Sequence, residues 1–141
     1  MSLRGLLCLL FLVCIGTSAS DFAADDFQKS LLLIQQLRAE GKSAQALSHI
    51  LAMQKERPSL KSNYSFQIIK IRTLVEAQYF LDAYETLSNA EVNAKKLSLG
   101  ILGELALSAE FLAHEHPSLR VRAISLAKRL QKQAQTQGEK I

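Results

Sequence analysis

A glutamate and two histidines near residue 114 are the residues of this chain whose types and spacing come closest to a metal site. Glu110 and His114 are four residues apart, which places them on one face of a helix, and His116 precedes Pro117. Zinc requires three or four converging donors, whereas two histidines two residues apart on a helix diverge. We therefore predict no metal site and expect a histidine here to interact with the free carbonyl groups at a helix end.

The sequence also lacks the motifs of common hydrolases and nucleotide-binding enzymes. It contains no Gly-x-Ser-x-Gly elbow, no glycine-rich phosphate loop and no His-Glu-x-x-His pair. Aspartates near helix starts can accept hydrogen bonds from the unpaired amides of the first turn. The four aspartates lie near predicted helix starts or ends and are Asp21, Asp25, Asp26 and Asp82. We therefore predict a non-enzymatic protein that uses no cofactor.

Residues 1–20 are typical of a secretory signal peptide. Arg4 is followed by an apolar stretch over residues 6–15 and by small residues from Gly16 to Ser20. A stretch of about ten apolar residues is shorter than the roughly twenty that cross a bilayer as a stable helix. Cleavage after Ser20, or alternatively after Ala19, removes both cysteines, so the mature chain has no disulfide. We predict a periplasmic or secreted protein, with an uncleaved anchor as the alternative.

Positive charge is concentrated at the end of the chain. The 17 basic and 13 acidic residues give a net charge of +4, and residues 118–141 contain Glu139 as their one acidic residue. A basic helix can contact an anionic surface, although basic residues also form ordinary solvated faces. The candidate patch consists of Arg120, Arg122, Lys128, Arg129 and Lys132. Because we expect export, we predict no nucleic-acid partner.

The chain has 141 residues, of which 48% are hydrophobic, so we expect one domain, over residues 21–133. Apolar residues recur at three- and four-residue steps, and no segment alternates with period two, which predicts an all-α fold. The six predicted helices span about 25–40, 43–55, 63–77, 81–94, 97–114 and 118–133. We expect the third to be the most buried and the tail over 134–141 to fray. Gly41 ends the first helix, and the short connection makes the first two helices a hairpin.

The second, fourth and sixth predicted helices share one register. Aligned positions hold Ala46, Ala83 and Ala123, then Ile50, Leu87 and Ala127, then Met53, Ala90 and Leu130. A small residue followed by larger apolar residues is the pattern of stacked helical hairpins. In this pattern the sequence resembles the tetratricopeptide repeat family, most closely over residues 27–58, where Gly41 opens the turn and Pro58 closes the repeat. The aligned alanines are 37 and 40 residues apart, whereas the family repeat is 34.

The resemblance implies a right-handed solenoid of three stacked hairpins, with a compact helical bundle as the alternative. In that family the first helix of each hairpin lines a concave peptide-binding groove. The residues nominated for it are Gln28, Leu31, Gln35 and Arg38 of the first hairpin and Ser65, Ile68 and Arg72 of the second. The two arginines would bind carboxylates of the partner, and Leu31 and Ile68 would receive apolar side chains. The family's asparagine-rich carboxylate clamp is missing.

These observations predict an exported protein-binding module, serving as an adaptor, assembly factor or chaperone of a bacterial envelope. One alternative is a structural bundle that forms a homo-oligomer through the apolar third or fifth helix. Another is a membrane-surface protein that uses the basic sixth helix.

Overall fold

The computed structural model describes residues 19–139, with side-chain surroundings from residue 25 onward, and over that range it consists of helices joined by short turns, with no strand. This confirms the all-α prediction. Six α-helices follow one another in these described residues: α1 (Ala19–Ala39), α2 (Ser43–Glu56), α3 (Tyr64–Glu76), α4 (Phe80–Glu91), α5 (Leu99–Glu115) and α6 (Arg120–Glu139). Short 3-10 helices lie at Pro58–Ser62, Ala94–Lys96 and Pro117–Leu119. Within the described part of the chain, no helix has the length and hydrophobicity needed to span a bilayer.

The first helix begins earlier than we predicted. We expected Asp25 or Asp26 to cap it, but α1 starts at Ala19 and both aspartates lie inside it. Asp25 instead faces Lys29 one turn later, with 3.8 Å between Oδ2 and Nζ. The predicted signal peptide lies outside the described residues up to position 18, and its last two residues belong to α1.

The last helix extends further than predicted, since α6 continues to Glu139 where we expected a frayed tail from residue 134. Two contacts account for the extension. Ala134 packs against the large hydrophobic core. The Gln137 amide donates hydrogen bonds to the carbonyl oxygens of Lys95 at 3.0 Å and Ala94 at 3.4 Å. These tertiary contacts compensate for the weak apolar periodicity of the segment.

The ends of α1 and α3 have the same backbone geometry, 37 positions apart. Gly41 and Gln78 both adopt left-handed conformations, with φ of 76° and 68°. In each case the following amide reaches back to a carbonyl of the last turn, Lys42 to Leu37 and Tyr79 to Leu74, both at 2.8 Å. This is the Schellman arrangement, which usually has glycine at the left-handed position. The two helices therefore terminate in the same way although only one of them has a glycine.

The register shared by α2, α4 and α6 is buried as predicted. Eight of its nine positions are buried, and Met53 is partly buried against the core. The core has two parts, a small cluster that joins α1, α2 and the start of α3, and a large cluster that extends from α2 to α6. Helix α3 contributes to both and buries seven of its thirteen residues, which confirms that it is the most buried helix.

Candidate functional site

The surface predicted from the family resemblance lies on α1 and α3, and the structure exposes only part of it. Gln28, Gln35 and Ser65 are exposed, and Leu31 is partly buried against the small core cluster. Ile68 is only 8% exposed and belongs to the large core cluster. The prediction that Ile68 receives an apolar side chain from a partner is therefore wrong, because the protein's own core already surrounds it.

Arg38, one of the two arginines predicted to bind a partner's carboxylate, is bound to Glu76 of α3. Its Nε and Nη2 donate to Oε2 and Oε1 of that residue at 2.9 and 2.6 Å. Both side chains are largely covered, with 21% and 30% exposed. The hydrogen bonds to Glu76 raise the pKa of Arg38, while burial acts in the opposite direction. The pair fixes α1 against α3.

Arg72 of α3 is also bound to a glutamate of this chain, which lies on α5. Its Nη2 donates to Glu104 Oε2 of α5 at 2.8 Å. Both predicted carboxylate-binding arginines thus hold carboxylates of this chain, so the structure corrects their expected role as free recognition groups. Since Arg72 and Glu76 are one turn apart on α3, the two pairs form a ladder that joins α1, α3 and α5.

The basic residues of α6 are all exposed, as the patch prediction requires, but they are not equivalent. Arg129 donates to Glu91 of α4 at 2.8 and 3.2 Å, and these bonds raise its pKa. Arg120 Nε donates to the Ala113 carbonyl oxygen at 3.4 Å. The three remaining members form no ion pair within residues 25–139 and are Arg122, Lys128 and Lys132.

His116 and Glu110, considered above as metal ligands, instead pack against or hydrogen-bond to other side chains of the protein. The His116 ring stacks on Phe80 with centroids 4.4 Å apart, and its Nε2 lies 2.7 Å from Ser118 Oγ. Glu110 accepts a hydrogen bond from Gln131 at 2.6 Å. No group of three or more histidine, cysteine, aspartate or glutamate residues converges in the described part of the chain.

A groove between α2 and α4 is the surface feature best suited to receive a ligand. It has a volume of about 610 Å³, and α3 forms its floor. Leu47 and Leu74 line its base and are nearly buried, whereas Leu51 and Tyr79 are 47% and 51% exposed. We call this cavity, together with the smaller one that adjoins it, the α2–α4 groove.

The α2–α4 groove narrows toward the end of α4 into a polar cavity of about 370 Å³. The two cavities adjoin each other, since Lys70, Thr86 and Asn89 line both. The side chains that line the narrow end are mainly amides, hydroxyls and lysines: Gln54, Lys61, Ser62, Tyr64, Gln67, Lys70, Thr86, Asn89 and Asn93. The wide end is therefore partly apolar, and the narrow end is polar and basic.

Lys70 stands at the junction of the two cavities. Its Nζ is 3.4 Å from Gln54 Oε1. Burial lowers the pKa of Lys70, and the positive charge of Lys61 lowers it further, whereas the carboxylates of Asp82 and Glu85 oppose the shift. The groove thus contains a partly desolvated ammonium group that is held by an amide.

Sequence reasoning missed the α2–α4 groove because its residues come from three helices. In the sequence, Leu51 fits the apolar pattern of α2 and Tyr79 lies in the turn before α4, so neither residue stands out as part of a binding surface. Which of them would remain exposed depends on the gap between α2 and α4, and that gap is a tertiary property. In the folded protein, the two exposed apolar side chains Leu51 and Tyr79 mark this groove as a candidate contact surface.

Comparison with known proteins adds no assignment, because no family model, curated protein or solved structure matches this chain.

Proposed function

We propose that this protein is a non-enzymatic binding module that receives a segment of another polypeptide in the α2–α4 groove. The observation that carries the proposal is the partly exposed apolar wall formed by Leu51 and Tyr79 beside a polar end. Peptide-binding grooves between helices combine pockets for apolar anchors with a small number of polar contacts. An open cleft of this kind suits a chain segment better than an enclosed small molecule.

We further propose that the six helices form three hairpins stacked side by side, as in a tetratricopeptide-like solenoid. Three observations support this arrangement. The left-handed turn at Gly41 recurs at Gln78 with the same hydrogen bonds. Equivalent positions of α2, α4 and α6 are buried. Ion pairs join α1 to α3, α3 to α5 and α4 to α6, which are the corresponding helices of successive hairpins.

The proposed setting is a bacterial envelope, in which the protein serves as an adaptor, assembly factor or chaperone. The charged, apolar and small-residue regions of residues 1–20 support export. An exported domain without disulfides must rely on packing, and the large hydrophobic core is consistent with that requirement.

Site-specific photo-crosslinking tests the proposed binding surface. A benzophenone amino acid at Ser48 or Asn89 places the reactive group in the α2–α4 groove. The matched controls carry the same group at Gln28 or Gln35, on the exposed surface predicted from the family resemblance. In an envelope extract, we expect adducts to a polypeptide from the first two positions and none from the controls. Adducts from the controls alone would instead assign binding to the α1 surface, and adducts from neither pair would reject the proposal.

Self-association through α5 is the second candidate, and one observation favours it. Leu107 and Phe111 lie one turn apart on α5 and are 54% and 39% exposed. Contact between two such faces would bury apolar surface that the monomer leaves in water. Light scattering during size-exclusion chromatography tests this function. A dimer that Leu107→Glu converts to a monomer would support it, and a monomer at all concentrations would exclude it.

Binding to an anionic surface through α6 is supported by its exposed basic residues. Arg122, Lys128 and Lys132 lack ion-pair partners among the described residues. Vesicles that contain phosphatidylglycerol are a direct probe. Binding that disappears in a variant with all three residues changed to glutamine would support this role, and unchanged binding would exclude it.

A further inference from the structure

The narrow end of the α2–α4 groove has the composition of a carboxylate-binding pocket. Lys61 and Lys70 supply positive charge, and the polar side chains of Ser62, Asn89 and Asn93 line the cavity around them. Hydrogen bonds between charged donors and carboxylates are stronger than neutral ones, and the effect increases where the site is partly shielded from water.

The donors at this end are oriented in advance by contacts within the protein. Gln54 Oε1 accepts from Gln67 Nε2 at 3.2 Å and lies 3.4 Å from Lys70 Nζ. Gln67 is itself held by a second bond, from its Nε2 to the Leu60 carbonyl oxygen at 2.8 Å. These contacts fix the orientation of the Gln54 amide beside Lys70. A ligand therefore meets an arranged site, which reduces the entropy lost on binding.

The two lysines of this pocket are not in direct contact with a carboxylate of the described residues. Neither Lys61 nor Lys70 forms an ion pair within residues 25–139, in contrast to Arg38, Arg72 and Arg129. Asp82 and Glu85 line the wide end and their charges act to raise the pKa of Lys70, but neither forms an ion pair with it. A partly buried ammonium group that no carboxylate contacts directly is unfavourable, and a carboxylate placed beside it would relieve the cost.

We propose that the narrow end binds the side-chain carboxylate of an aspartate or glutamate in the segment that occupies the groove. This inference rests on the proposed function and adds the chemical class of the ligand. An apolar side chain of the same segment packs against Leu51 and Tyr79 in the wide end, while the carboxylate contacts Lys70 and Lys61. The charge of the pocket thus selects acidic segments among those with a suitable apolar residue.

Peptide selection on the full chain tests the inference without knowledge of the natural partner. A phage library of random short peptides, each joined to the coat protein at its C-terminus, presents side-chain carboxylates but no free terminal carboxylate. We expect wild-type protein to enrich peptides that combine apolar residues with aspartate or glutamate. Lys70→Gln should select apolar residues with a weaker acidic preference. Lys55→Gln is the matched control, because Lys55 is exposed on α2 and does not line the groove.

Synthetic peptides from the selection then measure the contact directly by fluorescence anisotropy. Replacing the acidic residue with its amide should weaken binding to wild type about tenfold, which is typical of one charged hydrogen-bonded contact. The same replacement should have a smaller effect on binding to Lys70→Gln, in which only Lys61 remains to contact the carboxylate. If the replacement leaves wild-type affinity unchanged, the carboxylate site is rejected.

The two proposals fail in different ways. Selected peptides that lose binding to Leu51→Glu but show no acidic preference would overturn the carboxylate site and leave the groove as the binding surface. Peptides whose binding is unaffected by Leu51→Glu would reject the α2–α4 groove itself. Circular dichroism of each variant separates loss of binding from loss of folding.

Discussion

At the residue scale, the charged side chains of this protein fall into two groups. Arg38, Arg72 and Arg129 are bound to glutamates of neighbouring helices. Lys70 is partly buried beside an amide and has no such partner among the described residues. The first group stabilises the contacts between helices, whereas the desolvated lysine opposes folding while it remains charged. Their substitutions should therefore have opposite effects on stability.

Replacement of Lys70 with methionine should raise the free energy of unfolding, by less than about 1 kcal/mol because the residue remains partly exposed. Its folded-state pKa is lowered from the ordinary value of 10.5. The charged form therefore opposes folding at pH values below the folded-state pKa, and this penalty disappears as the pH rises toward 10.5. Urea denaturation at neutral and alkaline pH measures the difference. A variant less stable than wild type at neutral pH would contradict the prediction.

The Arg38–Glu76 pair should contribute measurably to stability because its two bonds are short and its side chains are largely covered. We expect Arg38→Met and Glu76→Gln each to reduce the free energy of unfolding by about 1–2 kcal/mol. In the double variant the losses should not add, because both changes remove the same interaction.

Lys29→Met is the control for the Arg38–Glu76 experiment. The Asp25–Lys29 pair has side chains that are 70% and 73% exposed and are separated by 3.8 Å. Such a pair contributes little to stability, typically less than about 0.5 kcal/mol. Equal losses in Lys29→Met and Arg38→Met, measured by urea denaturation, would mean that burial of the Arg38 pair has no energetic effect.

At the scale of elements, the turn after α3 retains a conformation that its residue does not favour. Gln78 has a φ of 68°, at a position equivalent to Gly41. Glycine adopts left-handed backbone conformations without the steric cost that other residues have. We therefore expect Gln78→Gly to raise the free energy of unfolding by about 0.5–1 kcal/mol and Gly41→Ala to lower it by about 1 kcal/mol.

Thermal and urea denaturation of both turn variants checks this prediction. No other atom lies within 4 Å of a Cβ placed at Gly41, so a loss in Gly41→Ala reports on backbone conformation and not on a clash. A destabilised Gln78→Gly variant would show that the glutamine side chain contributes more than the strain costs.

At the scale of the whole molecule, α3 joins the two parts of the core. Phe66 packs in the small cluster with α1 and α2, and Ile71 packs in the large cluster with the later helices. Helix α2 is also shared, since Ile50 belongs to the small cluster and Leu47 to the large one. Because these short helices serve both clusters, loss of one cluster removes support for the other. We therefore infer that the described helices unfold together.

Ile50→Ala tests this coupling because Ile50 is fully buried in the small cluster. We expect the variant to lose about 2–5 kcal/mol of stability, as is usual for such a truncation in a core. Circular dichroism and tyrosine fluorescence should still follow one common transition at a lower urea concentration. Two separate transitions, with one close to that of wild type, would show that the clusters fold independently.

Local sequence patterns were sufficient for the features that depend on near neighbours. The spacing of apolar residues predicted six helices, and Gly41 was placed correctly at the end of the first. The third helix begins close to the predicted position, where the Phe66 amide donates to Asn63 Oδ1 at 3.1 Å. The burial of Ala46, Ala83 and Ala123 also followed from periodicity. These properties arise from interactions within one or two turns, which the order of residues specifies directly.

The side chains that contact each helical face from neighbouring helices depend on the tertiary structure alone. The sequence identified Arg38, Arg72 and Ile68 as candidates for one helical surface, but packing paired the arginines with glutamates and buried the isoleucine. The end of α6 was stabilised by contacts with residues about forty positions away. Residue order determines which side chains share a helical face. The position of the neighbouring helices determines whether that face becomes part of the core, forms ion pairs or lines a groove. The reason is that the distance between helices determines whether water reaches the face.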